Sequence, residues 1–286
     1  MQLNDILARK IYERADLCRT FEEIAFRQIE QGNIRIPTYL SAGQEYAAAT
    51  LSVALDAIGI HNRQIFIQHR GHSIYLCFGG DMGKLTLELL GNPCGCAYGM
   101  GGSASIHSVE ANVYGHDGLM GSQGPISVGM CYANRIPTIC FAGDAAAEED
   151  YFLGAIAWAS TKRLPILFVI EDNNLSILTE KKVRRNWEMD EVARGFRMKA
   201  FDVDDDPEQV LACLDENGLF AEPMLLNIRT NRLFWHAGAG IDSTETFDRH
   251  KAFAVRFESE YRESVQQKHR LIVERTWQQH LPYCAK

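Results

Sequence analysis

The sequence predicts an α/β fold, in which a mostly parallel, doubly wound sheet carries helices on both faces. The first observation is alternation, because from about residue 126 onward short strand-like runs follow helical stretches in regular order. The second is that runs such as PTICFAG and PILFVIE are apolar throughout, as in strands that are covered on both faces. The third is that a helix-length segment joins successive runs, which indicates parallel strands connected by right-handed crossovers.

The bulk composition is that of a globular protein, and the sequence shows no internal repeat or linker, so we predict a single domain spanning 1–286. The chain has 46% hydrophobic and 23% charged residues and a net charge of −8 at pH 7. This balance argues against disorder, and no block of Lys and Arg indicates nucleic acid as a partner. No apolar run approaches the roughly 20 residues that cross a bilayer, and the amino terminus does not resemble a signal peptide. We therefore predict a cytoplasmic protein with reduced thiols and no membrane partner.

The first part of the chain is predicted to be helical before the first strand. Apolar residues at helical spacing predict one or two helices over about 3–31 and another over 42–58. IFIQH (65–69) is a short strand, and a helix-like stretch runs over 73–90. Residues 91–125 are rich in Gly and Ser, and an irregular segment of this length is usually functional. Its GMGGSA run does not follow an apolar strand, which argues against NAD binding.

The remaining elements alternate regularly. They are predicted to be, in order, helix 126–134, strand 137–143, helix 148–162, strand 165–171, helix 189–196, strand 199–204, helix 207–218, strand 224–231 and a charged helical tail over about 243–286. Cysteines within apolar runs predict small buried hydrophobes, and Cys94-Gly-Cys96 lacks a second pair at zinc-site spacing. Four histidines are predicted to be solvated: His61, His250, His269 and His280.

Two consecutive strands end in oxygen-bearing side chains. Asp144 follows ICFAG, and Asn173 follows PILFVI one crossover later. Ligands of open α/β sheets bind beyond the carboxyl ends of the strands, so these side chains should meet at one edge. A carboxylate, an amide oxygen and a backbone carbonyl suit Mg²⁺, and the N–H groups of a helix after Asp144 favour an anion. A metal–diphosphate site fits this pattern, and so does a simple helix cap with an Asn-Asn turn.

The stretch GDAAAEED…LPILFVIEDNN resembles the thiamin diphosphate motif, in which Asn-Asn follows Gly-Asp-Gly one crossover later. Five further segments resemble, in the same order, the alpha subunits of 2-oxo acid dehydrogenase complexes and of acetoin dehydrogenase. They are RTFEEIAFRQIEQGNIRIPTYLSAGQEYAA, HRGHSIYL, LLGNPCGCAYGMGGSASIH, GLMGSQGPISVGMCYA and IRTNRLFWHAG, within about residues 15–240. The resemblance implies a thiamin diphosphate-binding fold, here a single diphosphate-binding domain, with thiamin diphosphate and Mg²⁺ as cofactors.

The resemblance assigns a metal and phosphate site to matched positions. The side chains of Asp144 and Asn173 and the backbone carbonyl of Leu175 would ligate Mg²⁺. The backbone N–H groups of Ala145 and Ala146 would bind the diphosphate. Ala145 replaces the glycine at the third position of the family's Gly-Asp-Gly motif, and its methyl group would add strain if φ were positive.

The resemblance also assigns the rest of the cofactor pocket. His69 and Arg70 match a Tyr-Arg pair that contacts the phosphates, with His69 as a departure. Arg70 supplies a fixed donor fork for phosphate oxygens. Gly118 and Met120 match positions whose backbone holds the aminopyrimidine. Ile177 matches the bulky apolar residue that bends the cofactor at its bridge.

His236 matches the family's mobile-loop histidine, which faces the reacting carbon of the cofactor. It would be the catalytic proton donor or acceptor near neutral pH, whereas the simpler interpretation is a loop histidine without a role. Ala237 replaces the serine that is phosphorylated in the mitochondrial enzymes. The glutamate that activates the aminopyrimidine belongs to the beta subunit of split enzymes, and Glu45 and Glu148 match other positions. The resemblance therefore implies a beta-type pyrimidine-binding subunit in an α₂β₂ assembly.

The function implied is that of an alpha-type subunit which decarboxylates or cleaves a 2-oxo acid or related carbonyl compound. The acyl or aldehyde unit would pass to a lipoyl group or another acceptor, and the divergent loop 237–250 leaves substrate and acceptor open. EDNNLSI also fits the N-terminal half of a split transketolase-like enzyme. A non-catalytic thiamin-fold scaffold is the alternative from another class. The joint presence of four matched residues argues against decay: Arg70, Asp144, Asn173 and His236.

Overall fold

The computed structural model describes residues 1–214, 218–243 and 245–281. Within these ranges the chain forms eleven α-helices and eight strands. The helices are α1 (Asp5–Glu30), α2 (Glu45–Ala57), α3 (His72–Cys77), α4 (Met82–Leu89), α5 (Gln123–Asn134), α6 (Asp150–Thr161), α7 (Lys181–Arg184), α8 (Met189–Gly195), α9 (Pro207–Cys213), α10 (Arg249–Ala254) and α11 (Ser259–His280). The strands are β1 (Gln64–Phe66), β2 (Val113–Tyr114), β3 (Thr138–Gly143), β4 (Ile166–Asp172), β5 (Leu175–Ser176), β6 (Thr179–Glu180), β7 (Lys199–Asp204) and β8 (Met224–Arg229).

Six of the described strands form one parallel sheet in the order β2-β1-β3-β4-β8-β7. The predicted parallel α/β architecture is therefore confirmed. From β1 the chain reaches β2 on one side and β3 on the other, so the order reverses between β1 and β3. A crevice opens at such a switch point beyond the carboxyl ends of the strands. The strands β5 and β6 form a separate antiparallel hairpin.

The central strands are buried on both faces. Along β3, Ile139 and Phe141 belong to the hydrophobic core that includes residues of α1, α2 and α11. The alternate residues, Cys140 and Ala142, belong to a second core with residues of α5, α6 and α8. Successive strand residues point to opposite faces, so one apolar run serves both cores. Helices on both faces confirm the doubly wound interpretation.

Some predicted boundaries differ from the observed ones. The predicted helix over 73–90 is divided into α3 and α4 around Gly80, where an added Cβ would lie 2.3 Å from the Tyr75 ring. Two residues of the glycine-rich segment form the edge strand β2, which was not predicted because two residues carry no periodic signal. Residues 215–217 of the predicted helix 207–218, and residues 282–286 of the predicted tail, lie outside the described residues.

The glycine-rich segment wraps around an internal carboxylate, that of Glu88 on α4. One Glu88 oxygen accepts the N–H groups of Ala97 at 2.7 Å and Gly99 at 2.9 Å. The other accepts those of Gly101 at 2.8 Å and Gly102 at 3.0 Å. The GMGGSA turns therefore bind a protein anion, which is consistent with the prediction that this run is not a dinucleotide loop.

The prediction that His250 and His269 are solvated was wrong. Both are buried and contact Asp16 of α1, through His250 Nε2 at 3.1 Å and His269 Nδ1 at 2.7 Å. The sequence of the tail looks solvated because its surface is charged, but α10 and α11 each pack a buried side against α1. Among the described residues, no helix has the length and apolar character needed to cross a membrane.

Candidate active site

A cavity of about 390 Å³ opens at the carboxyl ends of β1, β3 and β4, at the switch point of the sheet. Nine of the eleven residues predicted to bind the cofactor line this cavity. They are His69, Arg70, Met120, Asp144, Ala145, Ala146, Leu175, Ile177 and His236. Gly118 and Asn173 do not line the cavity wall, and each lies two positions before a residue that does, Met120 and Leu175 respectively. The structure thus brings together residues that are separated by up to 167 positions (236 − 69).

The register of the sheet places Asp144 and Asn173 at the same edge. Gly143 of β3 pairs with Glu171 of β4, so the two polar residues follow the ends of adjacent parallel strands. Asp144 is 1% exposed and Asn173 is 7% exposed. Burial raises the pKa of Asp144, and the Asp172 carboxylate raises it further, whereas Arg184 and Arg70 oppose the shift.

The amide of Asn173 is held in one orientation. Its Nδ2 donates to Gln44 Oε1 at 3.0 Å, and its Oδ1 accepts the N–H of Leu175 at 3.1 Å. An amide oxygen has two lone pairs, so Oδ1 retains one for a further ligand. Thr230 Oγ1 donates to the same Gln44 oxygen at 3.1 Å and so helps to hold the Gln44 side chain in place. Gln44 lies within one of the segments that resemble the family, but it was not predicted as a site residue.

The turn after Asp144 differs from the predicted helix start. Residues Ala146–Glu148 form a 3₁₀ turn, and α6 begins afterwards, at Asp150. Ala145 has φ −74° and ψ −37°, an ordinary right-handed conformation. The methyl group that replaces the family's glycine therefore introduces no backbone strain at this position.

Arg70 is a buried cation with unsatisfied donors. Its Nη1 donates to His69 Nε2 at 3.1 Å, while Nε and Nη2 are buried without a hydrogen-bond partner among the described residues. Burial lowers the pKa of Arg70, and the carboxylates of Glu171 and Asp144 oppose that shift. Unsatisfied buried donors on a permanent cation are uncommon and indicate a site for an anion.

Two further histidine rings lie near that of His69, the residue that accepts the Arg70 hydrogen bond. The ring of His69 lies 5.5 Å from that of His236 and 6.1 Å from that of His116, between centroids. Burial and the neighbouring Arg70 lower the pKa of His69 to about 2 and that of His236 to about 4. Burial also lowers the pKa of His116. The cluster is therefore uncharged at neutral pH, with His236 Nδ1 and His116 Nε2 buried and unpaired among the described residues. His116 lies in the glycine-rich segment, where no periodic pattern singles out individual residues.

The segment from Gly118 to Met120 is held by two contacts. The N–H of Gly118, where φ is +101°, donates to His116 Nδ1 at 2.9 Å. The Tyr151 hydroxyl of α6 donates to the carbonyl oxygen of Met120. At the next position, Gly121, an added Cβ would lie 2.6 Å from the Ala146 carbonyl oxygen, so a larger residue would displace the turn after Asp144.

The β5–β6 hairpin carries Leu175 and Ile177 into the cavity wall. Ile177 has φ +54°, a left-handed conformation that is strained for a β-branched residue. Arg232 Nη2 donates to the Ile177 carbonyl at 3.0 Å and helps to hold this conformation. The Ile177 side chain is 58% exposed, so burial does not account for the apolar residue at this turn. Strain of this kind concentrates at functional sites.

Two arginines at the end of the hairpin were missed by sequence reasoning. Arg184 Nη2 contacts Asp144 Oδ2, and Arg184 Nη1 contacts Glu148 Oε1 at 2.5 Å. Arg185 Nη1 donates to the Asp144 carbonyl oxygen at 3.3 Å and lies 3.4 Å from Glu148 Oε1. The run KKVRR looks like a solvated basic segment, and the sequence alone shows no partner for it.

The donor set suits a hard cation. Among the described residues, no group of three or more His, Cys, Asp or Glu side chains is arranged to hold a metal ion. A carboxylate, an amide oxygen and a backbone carbonyl beside unsatisfied phosphate-type donors instead suit Mg²⁺ that shares its shell with phosphate oxygens. Asp144, Asn173 and Leu175 provide those three oxygens at this edge, and Arg70 provides the donors. The residues present therefore fit a metal–diphosphate group.

Comparisons with known proteins match most of the chain to one family. The family model described as "Dehydrogenase E1 component" matches residues 13–267. Pyruvate dehydrogenase E1 component subunit alpha of Rickettsia prowazekii (strain Madrid E) is 30% identical over 237 residues, covering 77% of this chain and 70% of the relative. Pyruvate dehydrogenase E1 component subunit alpha-1, mitochondrial, of Oryza sativa subsp. japonica is 27% identical over 215 residues. That match covers 72% of this chain, which spans 54% of the rice protein's length.

Proposed function

The chain belongs to the dehydrogenase E1 component family, and from this membership we propose that it is the alpha-type subunit of a thiamin diphosphate- and Mg²⁺-dependent enzyme. The reaction is the decarboxylation or cleavage of a 2-oxo acid or a related carbonyl compound. The matched family model and the relatives are of the dehydrogenase type, which favours this function over a split transketolase. When bound, thiamin diphosphate supplies the nucleophilic carbon and the electron sink for breaking the bond.

The single observation that carries the proposal is that Arg70 and Asp144 line the same cavity at the switch point. Arg70 offers buried unpaired donors for an anion, and Asp144 offers a buried carboxylate for a cation. A metal ion bound together with a diphosphate provides both the cation for the carboxylate and the anion for the guanidinium in one cavity. A dinucleotide-binding dehydrogenase would instead use a glycine-rich turn, and here that turn binds Glu88.

Each predicted residue has a distinct task in this proposal. The Mg²⁺ ligands are the side chains of Asp144 and Asn173 and the carbonyl of Leu175. The diphosphate is bound by Arg70, by His69 and by the backbone N–H groups of Ala145 and Ala146. The backbone of Gly118 and Met120 would hold the aminopyrimidine, and Ile177 would support the bound cofactor.

His236 is the proton-transfer residue of this chain. Burial and the nearby cations Arg70 and Arg232 lower its pKa to about 4, so the imidazole is neutral at physiological pH. A neutral imidazole can accept a proton at one nitrogen while it donates a hydrogen bond from the other. Nδ1 of His236 has no partner among the described residues and remains available to a substrate oxygen.

The glutamate that activates the aminopyrimidine comes from a beta-type subunit. The two glutamates considered in this chain are already engaged. Glu45 Oε1 lies 2.6 Å from Arg19 Nη2, and Glu148 contacts Arg184 and Arg185. Large apolar side chains of the cavity wall, Met120 and Ile177, are exposed, and so are Leu178 and Trp235, which follow and precede cavity residues in the chain. Such exposure is expected of a surface that a second subunit covers. We expect an α₂β₂ assembly in the cytoplasm, with a lipoyl group or another acyl acceptor.

The proposal is tested by calorimetric titration of thiamin diphosphate, in the presence of Mg²⁺, into the chain co-purified with its beta-type partner. One saturable site per chain is expected, because each cavity holds one cofactor. Asp144→Asn should abolish the magnesium-dependent binding, whereas Asp150→Asn, an exposed carboxylate beyond the same turn, should leave it unchanged. A folded complex that shows no binding would refute a catalytic role, and a screen of 2-oxo acids follows from a positive result.

A further inference from the structure

Arg184 occupies the position of a counter-ion to Asp144. Its guanidinium bridges two carboxylates, those of Asp144 and Glu148, and its side chain is 13% exposed. Asp144 is the residue to which the metal ion is assigned in the proposed function. A guanidinium and a divalent cation repel one another strongly when both are next to one buried carboxylate. Arg184 and Mg²⁺ therefore compete for Asp144.

The contacts of Arg184 allow it to leave Asp144 without becoming an isolated charge. Glu148 Oε1 lies 2.5 Å from Nη1, and the Glu148 side chain is 20% exposed, nearer to solvent than Asp144. Nε of Arg184 is buried without a partner among the described residues, so the bridged arrangement leaves one donor unsatisfied. If Arg184 moves away from Asp144, it loses that contact but keeps its contact with Glu148, and the freed Nη2 group can be solvated.

The position of Arg184 in the chain connects it to a second metal ligand. It ends α7, a helix of four residues that directly follows the β5–β6 hairpin. The first residue of that hairpin is Leu175, whose carbonyl is assigned to Mg²⁺. Leu175 and Arg184 therefore belong to one short segment, 175–184, so that metal binding at Leu175 and movement of Arg184 affect the same part of the chain. Arg185 retains its contact with the Asp144 carbonyl, so the backbone at Asp144 stays fixed.

We infer that Arg184 is a resident cation that Mg²⁺ must displace from Asp144, and that it sets the magnesium concentration at which the subunit takes up its cofactor. This inference rests on the proposed function and adds a residue that opposes cofactor loading. In the absence of metal, Arg184 neutralises a buried carboxylate that would otherwise be unpaired. In the presence of metal, it remains with Glu148.

The test measures the Mg²⁺ concentration for half-maximal thiamin diphosphate binding and, separately, the thermal unfolding midpoint in EDTA. Arg184→Gln is expected to lower the half-saturating Mg²⁺ concentration by about tenfold, the range expected for loss of one charge-assisted hydrogen bond. It should also lower the unfolding midpoint in EDTA, because Asp144 is then buried without a partner. Lys182→Gln removes one positive charge from an exposed position of the same helix and should change neither quantity.

Two results would overturn this inference. If Arg184 bound the diphosphate directly, Arg184→Gln would weaken cofactor binding and raise the magnesium requirement, which overturns the inference. The inference is also overturned if Arg184→Gln and Lys182→Gln have the same half-saturating Mg²⁺ concentration. Should Arg184→Gln fail to fold, Arg184→Lys keeps the charge but cannot bridge both carboxylates, and a reduction of about threefold is expected. Failure of the unmutated complex to bind thiamin diphosphate refutes the proposed function itself, and this inference falls with it.

Discussion

The Nη1 atom of Arg70 donates a hydrogen bond to Nε2 of His69 at 3.1 Å. A histidine nitrogen that accepts a hydrogen bond is unprotonated, so the His69 proton resides on Nδ1. This contact explains how two basic residues can be adjacent in a buried site. Arg70 keeps its charge, and burial together with that charge holds the pKa of His69 at about 2.

The state of His69 predicts a pH dependence of stability. Its unfolded pKa is about 6.5, so below pH 6.5 the unfolded chain binds a proton that the folded chain does not. Above pH 6.5 His69 is neutral in both states and does not reduce the free energy of unfolding. As the pH falls below 6.5 the free energy of unfolding decreases, by about 2 kcal/mol at pH 5. Urea unfolding at pH 7 and pH 5 should show a smaller difference for His69→Gln than for the unmutated protein.

The exposed His61 provides the control for that experiment, since its side chain is 72% accessible. His61→Gln should retain the full loss of stability between pH 7 and pH 5. An unchanged difference in His69→Gln would show that His69 is protonated in the folded protein. Its contact with Arg70 would then need a different explanation.

The four backbone contacts of Glu88 predict a large effect from a small change. Glu88→Gln preserves the shape but turns an NH₂ group toward two of the four N–H donors. The free energy of unfolding should fall by about 2 kcal/mol, as for loss of hydrogen bonds to a charged acceptor. Chemical denaturation measures this directly. Glu110→Gln, at a carboxylate of the glycine-rich segment whose side chain is 74% accessible, should leave the free energy of unfolding essentially unchanged.

The left-handed backbone at Ile177 predicts a gain in stability from a polar residue. Ile177→Asn should raise the free energy of unfolding by about 1 kcal/mol, because Asn tolerates positive φ and little burial is lost. Turnover of the assembled enzyme should fall, since the support for the bent cofactor is removed. Leu178→Asn, at the next exposed position, should show no such gain. Equal stability of the two variants would mean that Ile177 is not strained.

His236 can be tested by separating binding from turnover. His236→Gln should lower kcat by about 100-fold, in the range for loss of general acid–base catalysis. Thiamin diphosphate binding, measured by calorimetry on the same complex, should change by no more than a few fold. A variant that loses binding but keeps its turnover at saturating cofactor would assign His236 to the diphosphate instead of the substrate.

Sequence reasoning identified the sheet from local patterns, whereas most residues of the cavity wall were assigned by the resemblance to a known family. Apolar runs identify β3 and β4, and the residues that end them must lie at one edge. Arg184 and His116 could not be found in this way, because each acquires its role from a partner that is distant in the sequence. The buried histidines of α10 and α11 were misassigned for the same reason, since Asp16 lies more than 230 positions earlier (250 − 16 = 234).

The right-handed conformation of Ala145 changes how a phosphate-binding signature of this type should be written. The dihedral angles at that position accept any small residue, so a pattern that demands Gly-Asp-Gly would exclude chains whose loop geometry is intact. The stricter requirement is Gly121, with φ +84° and no space for a Cβ against the Ala146 carbonyl. A signature that combines this distant glycine with Gly-Asp and a small residue would follow the backbone geometry of the site. It would also recognise divergent members that lack the second glycine of Gly-Asp-Gly.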